Sequence, residues 1–239
     1  MKNYIILFLL FIGCYQLTFS KPQYTFKRLT MTNGLISNYI MDIIQDKQGY
    51  IWMASESGLC KFDGKDFTTY NIDNAAIGNN AQNILHYNDT DNTIWIGTPH
   101  DGICIFDCNK QTFYPDGVTG MMSKEITDIS QATDGGIWIT HYQSGIDYYD
   151  TKNKEITHYQ AQKFKGKIKG NFWCAKDDGN GHLYVGLHQG GLAVIDIKER
   201  TTKVFLHNPK DLHSIPNNTV RCIFISQTNA IWIGTDNGL

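Results

Sequence analysis

Long apolar runs are scarce in this chain of 239 residues. The main one, Tyr4 to Gly13, falls short of the ~20 residues that a bilayer-spanning helix needs, so it does not read as a membrane anchor. No excess of charge of either sign exists either. With 21 Lys and Arg against 23 Asp and Glu, a formal net charge of −2 leaves no basic footprint for nucleic acid. Prolines number only 5 while aromatics reach 13%, which fits a globular, β-rich chain. Within the units described below, no window keeps an apolar i, i+3, i+4, i+7 spacing for ten or more residues, and this excludes the helical repeat arrays.

A disulfide framework is also lacking. The N-terminus has a lysine, then the short apolar stretch, then Thr18 and Ser20 at the −3 and −1 positions before Lys21. This reads as an export signal over residues 1–20. A lipoprotein signal at Phe11-Ile12-Gly13-Cys14 is the rival, with Phe a poor match at its first position. Removal of the leader leaves Cys60, Cys104, Cys108, Cys174 and Cys222, an odd number. Cys104 and Cys108 lie on one extended run, roughly 13 Å apart at strand rise, beyond bridging range. Cys60 and Cys104 occupy equivalent places in adjacent units, as do Cys174 and Cys222, and each reads as a small core residue.

What the chain has is one phrase written five times: IWMASESGL from Ile51, IWIGTPHDGI from Ile94, IWITHYQSGI from Ile137, LYVGLHQGGL from Leu183 and IWIGTDNGL from Ile231. The aromatic anchors Trp52, Trp95, Trp138, Tyr184 and Trp232 are spaced by 43, 43, 46 and 48 residues. A period of ~40–50 residues marks a propeller or a solenoid, and the content of one unit decides between them. In the first unit, Tyr39 to Gln45 is β-branched and apolar, and Asp46 to Gly49 is a turn. Tyr50 to Ala54 is extended, Ser55 to Gly58 turns, Leu59 to Phe62 returns, and Phe67 to Tyr70 closes a four-stranded meander. Strands with apolar residues on both faces must be sandwiched by neighbours, and radial stacking of twisted sheets supplies them. Each anchor aromatic is then expected between consecutive sheets.

The sequence therefore predicts an all-β chain, an incomplete β-propeller of four-stranded antiparallel blades, over residues 21–239. Full blades are expected at about 38–74, 79–118, 123–162 and 170–209, with a partial blade at 217–239 and an isolated outer strand at 24–30. The unfinished last phrase reads as the start of a further blade in a longer protein.

The variable centre of the phrase falls in the loop between second and third strands, where a rigid scaffold usually carries binding groups. The candidate ligand-binding residues are Glu56, His100, Asp101, His141, Tyr142, Gln143, His188, Gln189, Asp236 and Asn237. Their carboxylates, amides and imidazoles suit hydroxyl-rich ligands, and Tyr142 adds an aromatic face. Turn chemistry alone also favours such polar residues. The three loop histidines stand at unequal offsets from their anchors, so they do not form a metal set, and no catalytic residues or cofactor are assigned. Asp63, Asp107, Asp150 and Asp196 recur after every third strand, as turn-forming residues do. Trp173 breaks the repeat; core packing is the expectation for it, with the central channel as the alternative.

Asn38 to Tyr70 runs through Asp46-x-x-Gly49, Ile51-Trp52, Gly58-Leu59, Phe62-Asp63 and Phe67-x-x-Tyr70, and so resembles the two-component regulator propeller repeat. Departures occur at Asn92, which replaces the turn glycine, at Thr140, which replaces the glycine of WIGT, and throughout Leu183 to Leu187. The resemblance extends from about residue 24 to the end. It implies a periplasmic sensor for oligosaccharides, working as a homodimer. It also implies a membrane-anchored histidine kinase further along the same polypeptide and none of the kinase in this chain. A secreted propeller enzyme acting on polysaccharide and a protein-interaction scaffold are the alternatives.

Overall fold

A computed structural model describes residues 24–78, 81, 84–163 and 168–239. The expected export signal lies outside these residues. The first sheet contains β1 (Ile40–Gln45), β2 (Ile51–Ser55), β3 (Gly58–Phe62) and β4 (Phe67–Tyr70). The second has β5 (Ile84–Asn88), β6 (Thr93–Gly97), β7 (Ile103–Asp107) and β8 (Thr112–Tyr114). The third has β9 (Ile126–Gln131), β10 (Ile137–His141), β11 (Gly145–Asp150) and β12 (Glu155–Gln160). The fourth has β13 (Asn171–Asp177), β14 (His182–His188), β15 (Gly191–Asp196) and β16 (Thr202–Phe205). A two-stranded sheet, β17 (Val220–Ile225) and β18 (Ile231–Thr235), follows. Every sheet is an antiparallel meander in chain order, and the first strands of successive sheets lie side by side. Among the described residues the only helical segments are 3-10 turns at Met31–Asn33 and Ala161–Lys163.

The anchor aromatics explain the stacking. Trp52, Trp95 and Trp138 are buried, and each packs into a core shared with the next sheet: Trp52 on Phe106, Trp95 on Tyr149, Trp138 with Phe172 and Leu183. Tyr184 lies against Ile223 and Ile233 of the fifth sheet, whereas Trp232, with no sheet beyond it among the described residues, stays 50% exposed. Two indole N–H groups are satisfied by carboxylates, Trp52 by Asp46 at 2.8 Å and Trp138 by Asp177 at 2.6 Å. A buried ring of this size carries both a large apolar area and one donor that must be paired.

The repeated phrase has a local reason as well. The Ser55, Thr98 and Thr235 hydroxyls donate to the carbonyls of Gly58, Gly102 and Gly238 at 2.8, 3.0 and 2.8 Å, which closes the loop between second and third strands. Gly97 is needed where sheets approach closely, since a Cβ there would stand 2.4 Å from Ile84 and 2.7 Å from Ile126. After the third strands, Asp63, Asp107 and Asp150 each accept two backbone N–H groups, and Asp196 accepts one. These are turn residues, as the repeat suggested.

Two expectations need correction. Residues 24–30 form no strand, and Tyr24 and Phe26 are exposed, because an outer strand exists only when a ladder is there to receive it. Cys222 is exposed, unlike buried Cys60, Cys104 and Cys174, because among the described residues its sheet has a neighbour on one side only.

Candidate functional site

The first strands of four of the five sheets are bulged. Pairing passes over Met41 in β1, Thr127 in β9, Trp173 in β13 and Arg221 in β17, while β5 pairs without a shift. A bulge inserts one residue into the alternation and re-aims its side chain. Here all four passed-over residues line one axial cavity of about 380 Å³, together with Ile84, Asp128 and Lys176.

A second cavity, about 390 Å³, opens at the mouth on the loop side and is lined by Pro99, His100, Glu125 and Tyr142, with Thr127 and Trp173 shared between the two. The residue fifteen places beyond each inward position stands at the centre of that unit's loop. The pairs are Met41 and Glu56, Ile84 and Pro99, Thr127 and Tyr142, Trp173 and His188, Arg221 and Asp236. The inward members change along the arc from apolar Met41 and Ile84 through Thr127 and Trp173 to charged Arg221.

Trp173 is the centre of this arrangement. Its indole meets the Tyr142 ring edge-on at 6.2 Å, lies 5.8 Å from the His188 imidazole at an angle of 33°, and carries the Arg221 guanidinium 4.7 Å from its centroid. Arg221 in turn holds Asp236 through two parallel contacts, Nε to Oδ1 and Nη2 to Oδ2 at 3.1 Å. Hydrogen bonding from Arg221 keeps the Asp236 carboxyl below the usual carboxylate range. The supporting strands are fixed by side chains that reach from one sheet to the next. Asp42 accepts the Leu85 N–H at 2.7 Å, Asp128 accepts the Ala175 N–H at 3.0 Å, and Ser130 donates to the Ala175 carbonyl at 2.7 Å. Burial pushes both the Asp42 and the Asp128 carboxyls up.

Of the loop residues singled out from the sequence, His100 and Tyr142 line the mouth, and His188 and Asp236 meet Trp173 and Arg221. The rest are elsewhere. Glu56 is exposed on the first sheet, and Asp101, Gln189 and Asn237 are exposed with their N–H groups bonded to Thr98, Thr219 and Thr235. Gln143 borders a separate polar cavity with His158 and Gln160. His141 is fully buried and cannot present its ring to the loop surface: its Nε2 meets Asp147 at 2.8 Å, while Nδ1 has no hydrogen-bond partner among the described residues. It occupies the place of the turn hydroxyl of Thr98, and its larger side chain turns inward.

Sequence reasoning missed Arg221, Thr127, Glu125 and Lys176, and it expected Trp173 in the core. The available hint was an aromatic residue out of step with the anchors. A larger cavity, about 540 Å³, lies between the fourth and fifth sheets with Tyr184, Leu192, Val194, Ile231 and Ile233 in its walls. Those walls are inter-sheet core beside a sheet of only two strands, so it is a packing gap.

The family model described as two component regulator propeller matches residues 34–57 and 214–237. The chain is 31% identical to the extracellular domain assigned to a hybrid two-component system of B. thetaiotaomicron, with a TM-score of 0.76 over 87% of this chain and 29% of that one. A second extracellular domain from the same organism, assigned to a one-component system, shares the fold at 23% identity and a TM-score of 0.65, over 85% of this chain and 27% of that one. A histidine kinase of Formosa agariphila is 27% identical over 201 residues, which is 80% of this chain and 14% of the kinase. The chain thus spans about a seventh of that curated relative and under a third of each structure.

Proposed function

We propose that this chain, which carries two-component regulator propeller repeats, is the extracytoplasmic ligand-sensing propeller of a hybrid two-component receptor. It detects oligosaccharides at the loop-side mouth and relays occupancy to a histidine kinase further along the same polypeptide. The chain itself performs no catalysis. The full receptor sits in the inner membrane with this segment in the periplasm and works as a homodimer. The likeness to an extracellular domain of a hybrid system and to a histidine kinase supports this assignment.

The observation that carries the ligand reading is the Trp173 cluster. Sugar rings present C–H faces to aromatic rings and hydroxyls to polar groups, and a site with few well-placed polar groups around an aromatic centre meets both needs. Tyr142, His100 and Glu125 supply those groups beside Trp173. Signalling follows if the glycan prefers one arrangement of the receptor dimer, since only differential affinity can shift such an equilibrium. Calorimetry against a panel of oligosaccharides tests the site. Micromolar to millimolar binding that Trp173→Ala abolishes is the expected result, and binding untouched by Trp173→Ala removes the assignment.

A further inference from the structure

Arg221, which lines the axial cavity beside Trp173, and Asp236 form the last of the pairs described above and their charged end. The guanidinium lies over the Trp173 ring, and its fork is filled by the Asp236 carboxylate. Fork-to-fork contact is the geometry with which arginine recognises a carboxylate on a ligand. Both side chains are 42% exposed, so Asp236 can turn away without opening the core. Lys176 lines the same axial cavity, and its charge is shared with Asp42 and Asp128, with which it interacts electrostatically. The neighbouring carboxylates Asp42 and Asp128 accept backbone N–H groups.

We propose that the ligand of this site is an acidic sugar of the uronate class, whose carboxylate takes the place of Asp236 on Arg221. This rests on the carbohydrate reading of the Trp173 cluster and adds the charge of the ligand to it. Asp236 is an internal stand-in: it keeps the guanidinium paired when the site is empty and competes with the ligand carboxylate when it is not. Exchange of one carboxylate for another leaves Arg221 neutralised throughout.

The test is calorimetry of the full chain with trigalacturonate and with its fully methyl-esterified form, which keeps the rings and removes the charge. The acid is expected to bind at least about tenfold more tightly than the ester, the scale of a charge-assisted hydrogen bond, with the gap narrowing at high salt. Arg221→Gln should erase the difference. Asp236→Asn, a charge-only change in an exposed loop, should widen it several-fold. Equal binding of acid and ester overturns the inference and leaves the carbohydrate reading in place, whereas an acid-to-ester ratio lowered by Asp236→Asn overturns the stand-in role. Binding of neither probe, by a chain whose near-ultraviolet dichroism is native, removes both the reading and the inference.

Discussion

Trp173 and Arg221 belong to different sheets and lie 48 residues apart in the chain, yet the guanidinium of one sits 4.7 Å from the ring centroid of the other. Each is a bulge residue of a first strand, and the bulges turn both to the axis. The contact shows how a repeat with a nearly uniform core acquires a site that is not uniform: one position per unit is released from packing and is free to vary.

The tryptophans should accordingly fall into two groups. Trp52→Ala and Trp138→Ala remove buried rings from shared cores and are expected to destabilise by about 3–5 kcal/mol in urea unfolding. Trp232 is half exposed, and Trp232→Ala should cost under about 1 kcal/mol by the same measurement. Trp173→Ala should likewise leave the unfolding midpoint nearly unchanged while abolishing ligand binding.

Asp147 is buried with the His141 and His158 rings at 2.8 and 2.7 Å and the Met122 N–H at 2.9 Å. Burial alone would raise its pKa, but hydrogen bonds from His141, His158 and Met122 outweigh it and hold the carboxyl below the usual range. A carboxyl depressed in the folded state contributes stability that is present in full above the unfolded value of about 3.9 and is lost as pH falls through the folded value. Asp147→Ala should therefore cost about 3–5 kcal/mol at pH 7 and much less in strong acid, measured by urea titration across pH. A difference independent of pH would refute the linkage.

Gly58 illustrates the backbone demand of the repeated loop. Its φ is +136°, and a Cβ there would lie 2.3 Å from the Tyr70 carbonyl oxygen, a backbone atom with little room to retreat. Gly58→Ala should lower the melting temperature by an amount corresponding to at least about 1–3 kcal/mol, readable by calorimetry.

Thiol reactivity offers a map of the sheets. Burial raises the Cys104 thiol to about 12 and the Cys108 thiol to about 11, and it pushes Cys174 up as well, whereas Cys222 is exposed at the axial cavity. A thiol reagent should modify Cys222 first among the five cysteines of the described residues, half-buried Cys108 more slowly, and buried Cys60, Cys104 and Cys174 only on unfolding. A ligand in the axial cavity should slow that modification, as followed by mass spectrometry.

The period, the four-stranded unit, the interlocking aromatics and the turn aspartates were legible in the chain itself. Each depends on short-range chemistry that recurs: alternation in strands, hydroxyl and glycine at the Thr98 and Gly102 loop, a carboxylate such as Asp107 that closes a turn. The loop residues Tyr142, His188 and Asp236 were legible for the same reason, since they fill the variable slot of a fixed phrase.

The direction in which Trp173 and Arg221 point was decided only by tertiary structure. Strict alternation assigns a face to every strand residue, and a bulge breaks that assignment at one place; nothing in the local sequence marks where the extra residue will be tolerated. The choice is made where neighbouring first strands crowd together around the axis. His141 was misjudged for a related reason: its loop position suggests solvent, but a buried carboxylate on the adjacent strand, Asp147, draws the ring inward, and that partner is identified only once the two strands are paired.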